Sequence, residues 1–153
     1  VLDVRFAGLG RDNRWNEPGA PTLYLARDEG VLITEWGRHF QINRTPRLQQ
    51  MTVERSVYRL KLEIDQALDL RDPDACRLLS LENAPGCFAD VSVARATAHF
   101  IRGTTAAQAL LVPPMGLIDQ PERWCLVRFL DKLPRDPASF IASVTPCGPL
   151  RWG

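Results

Sequence analysis

The chain has 153 residues, enough for one domain with a buried core, and its hydrophobic (45%) and charged (24%) fractions are ordinary for a globular protein. Its 19 Lys and Arg residues nearly balance its 18 Asp and Glu residues, which gives no support for non-specific binding to nucleic acid or to a membrane surface. No apolar run in the sequence reaches the roughly 20 residues that cross a bilayer.

The first predicted elements are two short strands, at Asp3–Phe6 and Thr22–Ala26, because apolar residues alternate or concentrate there. Glycines and prolines mark the segment between them as a turn-rich loop. A helix is predicted from Asp28, which can cap its first turn, and Arg38 and His39 near its end suit the negative end of the helix dipole. Near-helical spacing is shown by Val31, Leu32 and Trp36.

Helices and strands follow in an irregular order along the rest of the chain. They are predicted as a strand over 55–65, a turn and short helix over 69–81, a loop over 82–90, a helix over 91–103, and strands over 108–114, 123–130 and 139–148. No repeat, low-complexity segment or linker divides the sequence. This order favours a single α+β domain over residues 1–153 rather than a doubly wound sheet.

The cysteines and histidines predict no metal centre. The cysteines are far apart and form no C-x-x-C pair; they are Cys76, Cys87, Cys125 and Cys147. Such spacing is typical of reduced thiols in a cytoplasmic protein, and the first residues lack the pattern of a signal peptide. His39 and His99 are too few and too scattered to form a metal site, so we expect both to be structural.

The stretch from Arg5 to Glu35 contains the residues best suited to chemistry. Its "GLG" lacks the third glycine and the following helix of a dinucleotide fingerprint. Two arginines, Arg5 and Arg14, could grip a pyrophosphate, because guanidinium groups form bidentate contacts with phosphate. The ring of Tyr24 could lie against a flat heterocycle, and Glu35 could hold a ribose hydroxyl or offset positive charge. Taken one at a time, such residues are more often solvated arginines, a packed tyrosine and a surface glutamate, so residue types and spacing alone favour the ordinary interpretation and leave the pocket as an alternative.

A longer motif favours the pocket interpretation. The run "RWNEPGAPTLYLA", followed by a helix with a glutamate in "LITEW", resembles the RES-domain family of bacterial proteins. The segments "LDLRDP", "SLEN" and "LLVP" are similar to later landmarks of that family, so the resemblance extends over nearly the whole chain.

The resemblance implies roles for five residues. Matched position by position, the family's arginines fall at Arg5 and Arg14, its tyrosine at Tyr24, its glutamate at Glu35 and its serine at Ser92 in "FADVSVARA". Both arginines are then expected to hold the pyrophosphate of NAD while the tyrosine ring stacks on the nicotinamide. The glutamate would anchor the ribose and stabilise its developing positive charge, and the serine would form a hydrogen bond nearby.

The resemblance also implies a fold and an activity. The fold is an ADP-ribosyltransferase-like core of short strands with flanking helices. The activity is cleavage of the nicotinamide–ribose bond of NAD, a substrate, with water or inorganic phosphate as acceptor and without a metal. Such proteins are often the toxins of pairs with Xre-type antitoxins, which implies a protein partner but no membrane or direct nucleic-acid partner. Two alternatives remain: a protein ADP-ribosyltransferase with the same pocket, and a catalytically silent module that binds a nucleotide or a partner.

Overall fold

The computed structural model describes residues 3–11, 13–43, 54–134, 136 and 139–150. Along the chain, the helices and strands are β1 (Thr22–Ala26), α1 (Glu29–Asn43), β2 (Ser56–Leu62), β3 (Ala67–Asp69), α2 (Pro73–Leu78), α3 (Val91–Thr104), β4 (Ala109–Val112), β5 (Cys125–Phe129) and β6 (Ile141–Pro149). Short 3₁₀ turns cover Gly86–Ala89, Met115–Leu117 and Leu130–Lys132. The predicted α+β class is confirmed.

The strands form two sheets. The larger has four strands in the order β1-β5-β4-β3, and the smaller pairs β2 with β6. In the larger sheet β5 is antiparallel to both of its neighbours, whereas β3 is parallel to β4. Tyr24 on β1 lies opposite Val127 on β5, and Ala26 lies opposite Cys125. This register places the end of β1 beside the start of β5, at the edge where the candidate site lies.

Helix α3 covers one face of the larger sheet. Its small and apolar residues Ala94, Ala98 and Ile101 are almost fully buried, as their helical spacing predicts. They belong to a core cluster that also contains residues of β4 and β5, together with Trp15 and Phe88. The Trp15 and Phe88 rings are 4.9 Å apart between centroids and tilted by 58°, a favourable arrangement for an aromatic pair. The core thereby fixes the position of the "RWN" segment, which lies outside any helix or strand.

Helix α1 begins where the sequence predicts. Asp28 caps it, because its Oδ1 accepts a hydrogen bond from the Val31 amide at 3.0 Å. The same carboxylate pairs with Arg123 at 2.6 Å, which ties the helix to the segment before β5. The helix runs on to Asn43, so Arg38 lies in its interior and the prediction that it lies near the helix end is wrong. The side chain of His39 lies outside what the structure describes.

Two predictions about the strands are wrong. Asp3–Phe6 is a turn, not a strand: the Ala7 amide bonds the Val4 carbonyl at 3.0 Å, and Phe6 is 70% exposed. The apolar alternation there is therefore not the buried face of a strand. β3 was not predicted: it lies after the strand predicted over 55–65 and reaches only the first residue of the turn predicted over 69–81, because its three residues form a strand through parallel pairing with β4.

Candidate active site

A cavity of about 300 Å³ lies where β1, α1 and the turn after β4 meet. Its volume is at the lower end of the range of small-molecule pockets, about 300–1,000 Å³. Most of its lining is apolar or aromatic. The polar and thiol side chains that line it are Asn13, Arg14, Tyr24, Glu35, Arg38 and Cys125. A few polar groups in an apolar lining are typical of a ligand site.

Three of the five predicted site residues, Arg14, Tyr24 and Glu35, line this cavity together. Arg5 does not line it, and its guanidinium instead pairs with Asp3 at 2.5 Å on the surface. Ser92 also lies outside the cavity lining, in the exposed first turn of α3, where its hydroxyl donates to Asp90 Oδ1 at 2.6 Å. The structure therefore brings together the tyrosine, the glutamate and one arginine of the motif.

The Tyr24 hydroxyl organises the segment that carries Arg14. Its oxygen donates to Asn16 Oδ1 at 2.6 Å and accepts from the Trp15 amide at 3.0 Å, so it bridges two residues of the "RWN" motif. Burial raises the pKa of this phenol above its ordinary value, and the bond from Trp15 only partly opposes the rise. About a third of Tyr24 remains exposed (36%), and the residue contributes to the cavity wall. The hydroxyl is thus a structural group, which leaves the ring to meet a ligand.

We predict that Tyr24→Phe lowers the free energy of unfolding by about 1–3 kcal/mol at neutral pH, because the buried partners of the hydroxyl lose their hydrogen bonds. Since the folded-state pKa is raised above the unfolded value of about 10, the contribution of Tyr24 is fully present below pH 10 and is lost as pH rises further. Denaturant unfolding of both proteins between pH 7 and 11 measures this.

The matched control for this prediction is Tyr58→Phe. Tyr58 is similarly exposed (39%) and lies on the smaller sheet, so its change should stay within about 0.5 kcal/mol. An equal loss in both variants, or a wild-type-minus-Tyr24→Phe difference that does not fall above pH 10, would contradict the structural role of the hydroxyl.

Arg14 links the cavity to the segment that leads into α3. Its Nη1 donates to the carbonyl oxygens of Phe88 at 2.6 Å and Ala89 at 2.9 Å. No other hydrogen bond of this guanidinium occurs within the described residues, so its remaining N–H groups are available to a ligand. Burial lowers the pKa of Arg14, and the charge of Arg38 lowers it further, whereas Glu35 raises it. Arg14 is therefore a positive group held in place inside a partly buried site.

Glu35 projects from α1 into the same cavity. Its Oε1 accepts a hydrogen bond from the Gly116 amide at 3.0 Å, which fixes the orientation of the carboxylate. A Cβ added at Gly116 would lie 2.4 Å from Thr34 Cγ2, so a larger residue here would force the Thr34 side chain or the turn to shift. The second carboxylate oxygen of Glu35 remains free to meet a ligand, because no bond to it occurs within the described part of the chain.

The chain can be compared with known protein families. A family model for the RES domain matches residues 3–152. The chain belongs to the RES-domain family. The resemblance drawn from the "RWN", "LYLA" and glutamate motif is thereby confirmed, and in this RES domain the arginine, tyrosine and glutamate of that motif share one cavity.

The fold of the RES domain also matches a solved structure. It is similar to a chain of the M. tuberculosis MbcT–MbcA toxin–antitoxin complex, with a TM-score of 0.65 and 23% identity over 94% of this chain and 78% of that chain. At this level of identity the likeness shows the shared fold. None of the curated proteins compared with the chain matches it.

Arg38 is a lining residue of the RES-domain cavity that the sequence prediction missed. It lies on α1 three residues after Glu35, a spacing that puts two helical residues on the same face. Its stem passes Gly116, since a Cβ built there would lie 3.7 Å from Arg38 Cδ. The spacing was visible in the sequence. It was overlooked because the helix was predicted to end beside it, which gave the arginine a dipole role instead.

Cys125 is a second lining residue that the prediction left without a role. It enters the cavity because it begins β5, opposite the last residue of β1. Burial, together with the charges of Glu35 and Asp28, raises the pKa of its thiol to about 12. The thiol is therefore protonated at neutral pH and is not a nucleophile there, because the thiolate is the reactive form.

Other kinds of site find no support in the described part of the chain. Its His, Cys, Asp and Glu residues form no group of three or more that could hold a metal ion. None of its helices is long and apolar enough to cross a membrane. All four cysteines are free. The cavity with Arg14, Tyr24 and Glu35 is the site on which a functional proposal can be built.

Proposed function

We propose that this RES domain is an NAD-consuming enzyme that cleaves the nicotinamide–ribose bond. The observation that carries the proposal is the meeting of Arg14, Tyr24 and Glu35 in one largely apolar cavity. Arg14 is a cation that can bind phosphate, Tyr24 provides a flat ring that can lie against a heterocycle, and Glu35 is a carboxylate that can stabilise a ribosyl cation. NAD contains all three partners, since it has a pyrophosphate, a cationic nicotinamide ring and the ribose that joins them.

Glu35 is the residue that stabilises the transition state in this proposal. Cleavage leaves positive charge on the ribose, as in the oxocarbenium-like transition state of glycoside cleavage. A carboxylate that is already oriented, here by the Gly116 amide, stabilises that charge without reorganising during the reaction. The free oxygen of Glu35 would also accept a hydrogen bond from a ribose hydroxyl, which helps to position the substrate.

The other two residues bind the substrate. Arg14 keeps N–H groups for a phosphate while its Nη1 is anchored to backbone carbonyls, so the cation is preorganised. The Tyr24 ring is positioned by the bonds of its hydroxyl and can lie against the nicotinamide. Apolar walls that include Leu32, Val112 and Met115 would exclude water from the leaving group.

We further propose that the protein is the toxin of a bacterial toxin–antitoxin pair and acts in the cytoplasm, where its substrate is abundant. Membership of the RES-domain family and the likeness to a chain of a toxin–antitoxin complex support this. An enzyme that destroys a central cofactor must be blocked in its own host, so a partner of the Xre type would cover the cavity. Expression alone should deplete cellular NAD, and co-expression with the partner should restore it.

The purified wild type is expected to release nicotinamide from NAD. Chromatography of the products identifies the acceptor: free ADP-ribose indicates water, its phosphate ester indicates inorganic phosphate, and label on a polypeptide indicates a protein acceptor. Reactions with and without phosphate should be run in parallel. Binding of NAD in calorimetry without release of nicotinamide, under all of these conditions, would instead favour the catalytically silent alternative.

A further inference from the structure

The charges around the cavity are unbalanced. Two guanidinium groups, Arg14 and Arg38, and one carboxylate, Glu35, line it. The two arginines are close enough for the charge of Arg38 to lower the pKa of Arg14. Two cations beside a single anion leave a net positive charge, which attracts an anionic ligand.

Among the described residues, several arginines form ion pairs with carboxylates, but Arg38 does not. Within the residues that the structure describes, it has no ion pair and no hydrogen bond, although it is half-buried on α1. Its stem passes Gly116, since a Cβ built at that glycine would lie 3.7 Å from Arg38 Cδ, and its guanidinium lines the cavity. A half-buried guanidinium in a cavity, with its donors unused, is suited to bind an oxyanion.

Arg5 has the opposite properties. Its Nε and Nη2 donate to the two oxygens of Asp3 at 2.8 and 2.5 Å, which occupies the bidentate edge that a phosphate would need. Its side chain is 79% exposed and lies outside the cavity lining. The sequence comparison gave Arg5 the role of second phosphate ligand, but its contacts in the fold leave that role vacant.

We propose that Arg38 is the second pyrophosphate-binding residue of this site, in the position that the motif comparison gave to Arg5. A diphosphate offers two phosphate groups, one for each guanidinium group of Arg14 and Arg38 in the same cavity, whereas a monophosphate offers only one. The site should therefore prefer a nucleoside diphosphate to a monophosphate. The inference deepens the proposed function, since NAD contains such a diphosphate, but it concerns binding and can be tested without turnover.

The test is calorimetric titration of the full chain with ADP-ribose, ADP and AMP. Arg38→Gln is expected to weaken ADP-ribose binding by about tenfold or more, because a charge-assisted contact to phosphate is lost. The preference for ADP over AMP should shrink in the same variant. Arg5→Gln, the same chemical change at the alternative position, should bind within about twofold of the wild type because its exposed pair contributes little. Arg38→Lys should recover part of the affinity.

Thermal unfolding separates a binding role from a structural one. Arg38→Gln removes an unpaired charge that repels Arg14, so its unfolding temperature should equal or exceed that of the wild type. Wild-type affinity in Arg38→Gln, or a loss in Arg5→Gln as large as that in Arg38→Gln, would overturn the inference. So would a wild type that binds neither ADP nor ADP-ribose.

Failure of the cleavage proposal and failure of the Arg38 proposal give different experimental results. If the wild type binds ADP-ribose through Arg38 but releases no nicotinamide, the diphosphate site stands and the cleavage proposal fails. If nicotinamide is released and Arg38→Gln keeps its KM for NAD, the cleavage proposal stands and the role of Arg38 falls. In the expected case, Arg38→Gln raises KM with little change in kcat, since the lost contact is made in both the ground state and the transition state.

Discussion

Glu35→Gln is expected to lower the turnover of NAD by roughly a hundredfold or more, because a well-placed electrostatic group contributes about 3–4 kcal/mol to transition-state stabilisation. Glutamine keeps the shape of the side chain, and its carbonyl oxygen can still accept the Gly116 amide bond. Only the negative charge is removed. The affinity for ADP-ribose, which lacks the nicotinamide, should therefore change much less than kcat. Nicotinamide release at saturating NAD, with calorimetry on ADP-ribose, separates the two effects.

Glu29→Gln is the matched control for this prediction. Glu29 lies in the exposed first turn of the same helix and outside the cavity lining, so its replacement should leave turnover unchanged. Turnover by Glu35→Gln above one tenth of the wild-type value would show that the carboxylate is not the stabilising group.

Cys125 gives a second readout of the Glu35→Gln change, since the Glu35 charge helps to raise the pKa of the Cys125 thiol. The pH profile of Cys125 alkylation should therefore shift to lower pH in Glu35→Gln.

The elements that could be predicted from the sequence are those whose signal is local. Strand β1 is found at the predicted residues, and α3 begins at Val91 as predicted, because small residues at helical spacing reveal its buried face. The Asp28 cap is equally local. Asp3–Phe6 shows the limit, since its apolar alternation resembles that of a strand but no neighbouring strand pairs with it. β3 shows the converse, because its partner β4 lies about 40 residues away along the chain.

The candidate site was predictable in part for the same reason. Tyr24 and Glu35 lie on a strand and a helix that the sequence reveals, so their proximity follows from two adjacent elements. The position of Arg5 depends on loop geometry, and its pairing with Asp3 cannot be deduced from residue types. Arg38 was missed because the end of α1 was misjudged, which illustrates how a boundary error hides a residue that lines the candidate site.

Ser92 does not line the candidate cavity; it lies in the first turn of α3, just after the segment to which Arg14 is bonded. Its hydroxyl bonds Asp90, the residue that caps α3, and therefore stabilises the start of that helix. The carbonyl oxygens of Phe88 and Ala89, just before this cap, accept the bonds from Arg14. Arg14 is thus the physical connection between the serine-bearing turn and the cavity. This double attachment makes Arg14 the residue whose loss should affect both stability and catalysis.

Arg14→Gln is expected to reduce kcat/KM for NAD by about a hundredfold, because it removes a charge-assisted contact to phosphate and loosens the segment that carries the site. It should also lower the free energy of unfolding by about 1–3 kcal/mol, since the bonds to Phe88 and Ala89 are charge-assisted and the bond to Phe88 is partly buried. Steady-state kinetics and urea denaturation measure the two effects.

The comparison variants for Arg14 isolate the reason for the loss. Arg77→Gln breaks an exposed pair with Asp74 on α2, and its cost should be at most a few tenths of a kcal/mol with unchanged kinetics. Arg14→Lys keeps the charge, but its donors all lie on one nitrogen, so it lacks the separate nitrogens with which arginine can bond the two carbonyls through Nη1 and still present a fork to a phosphate. It should therefore recover less than the full activity. A lysine variant as active and as stable as the wild type would mean that charge alone matters at this position, and that the anchoring of Arg14 to the turn before α3 has no part in catalysis.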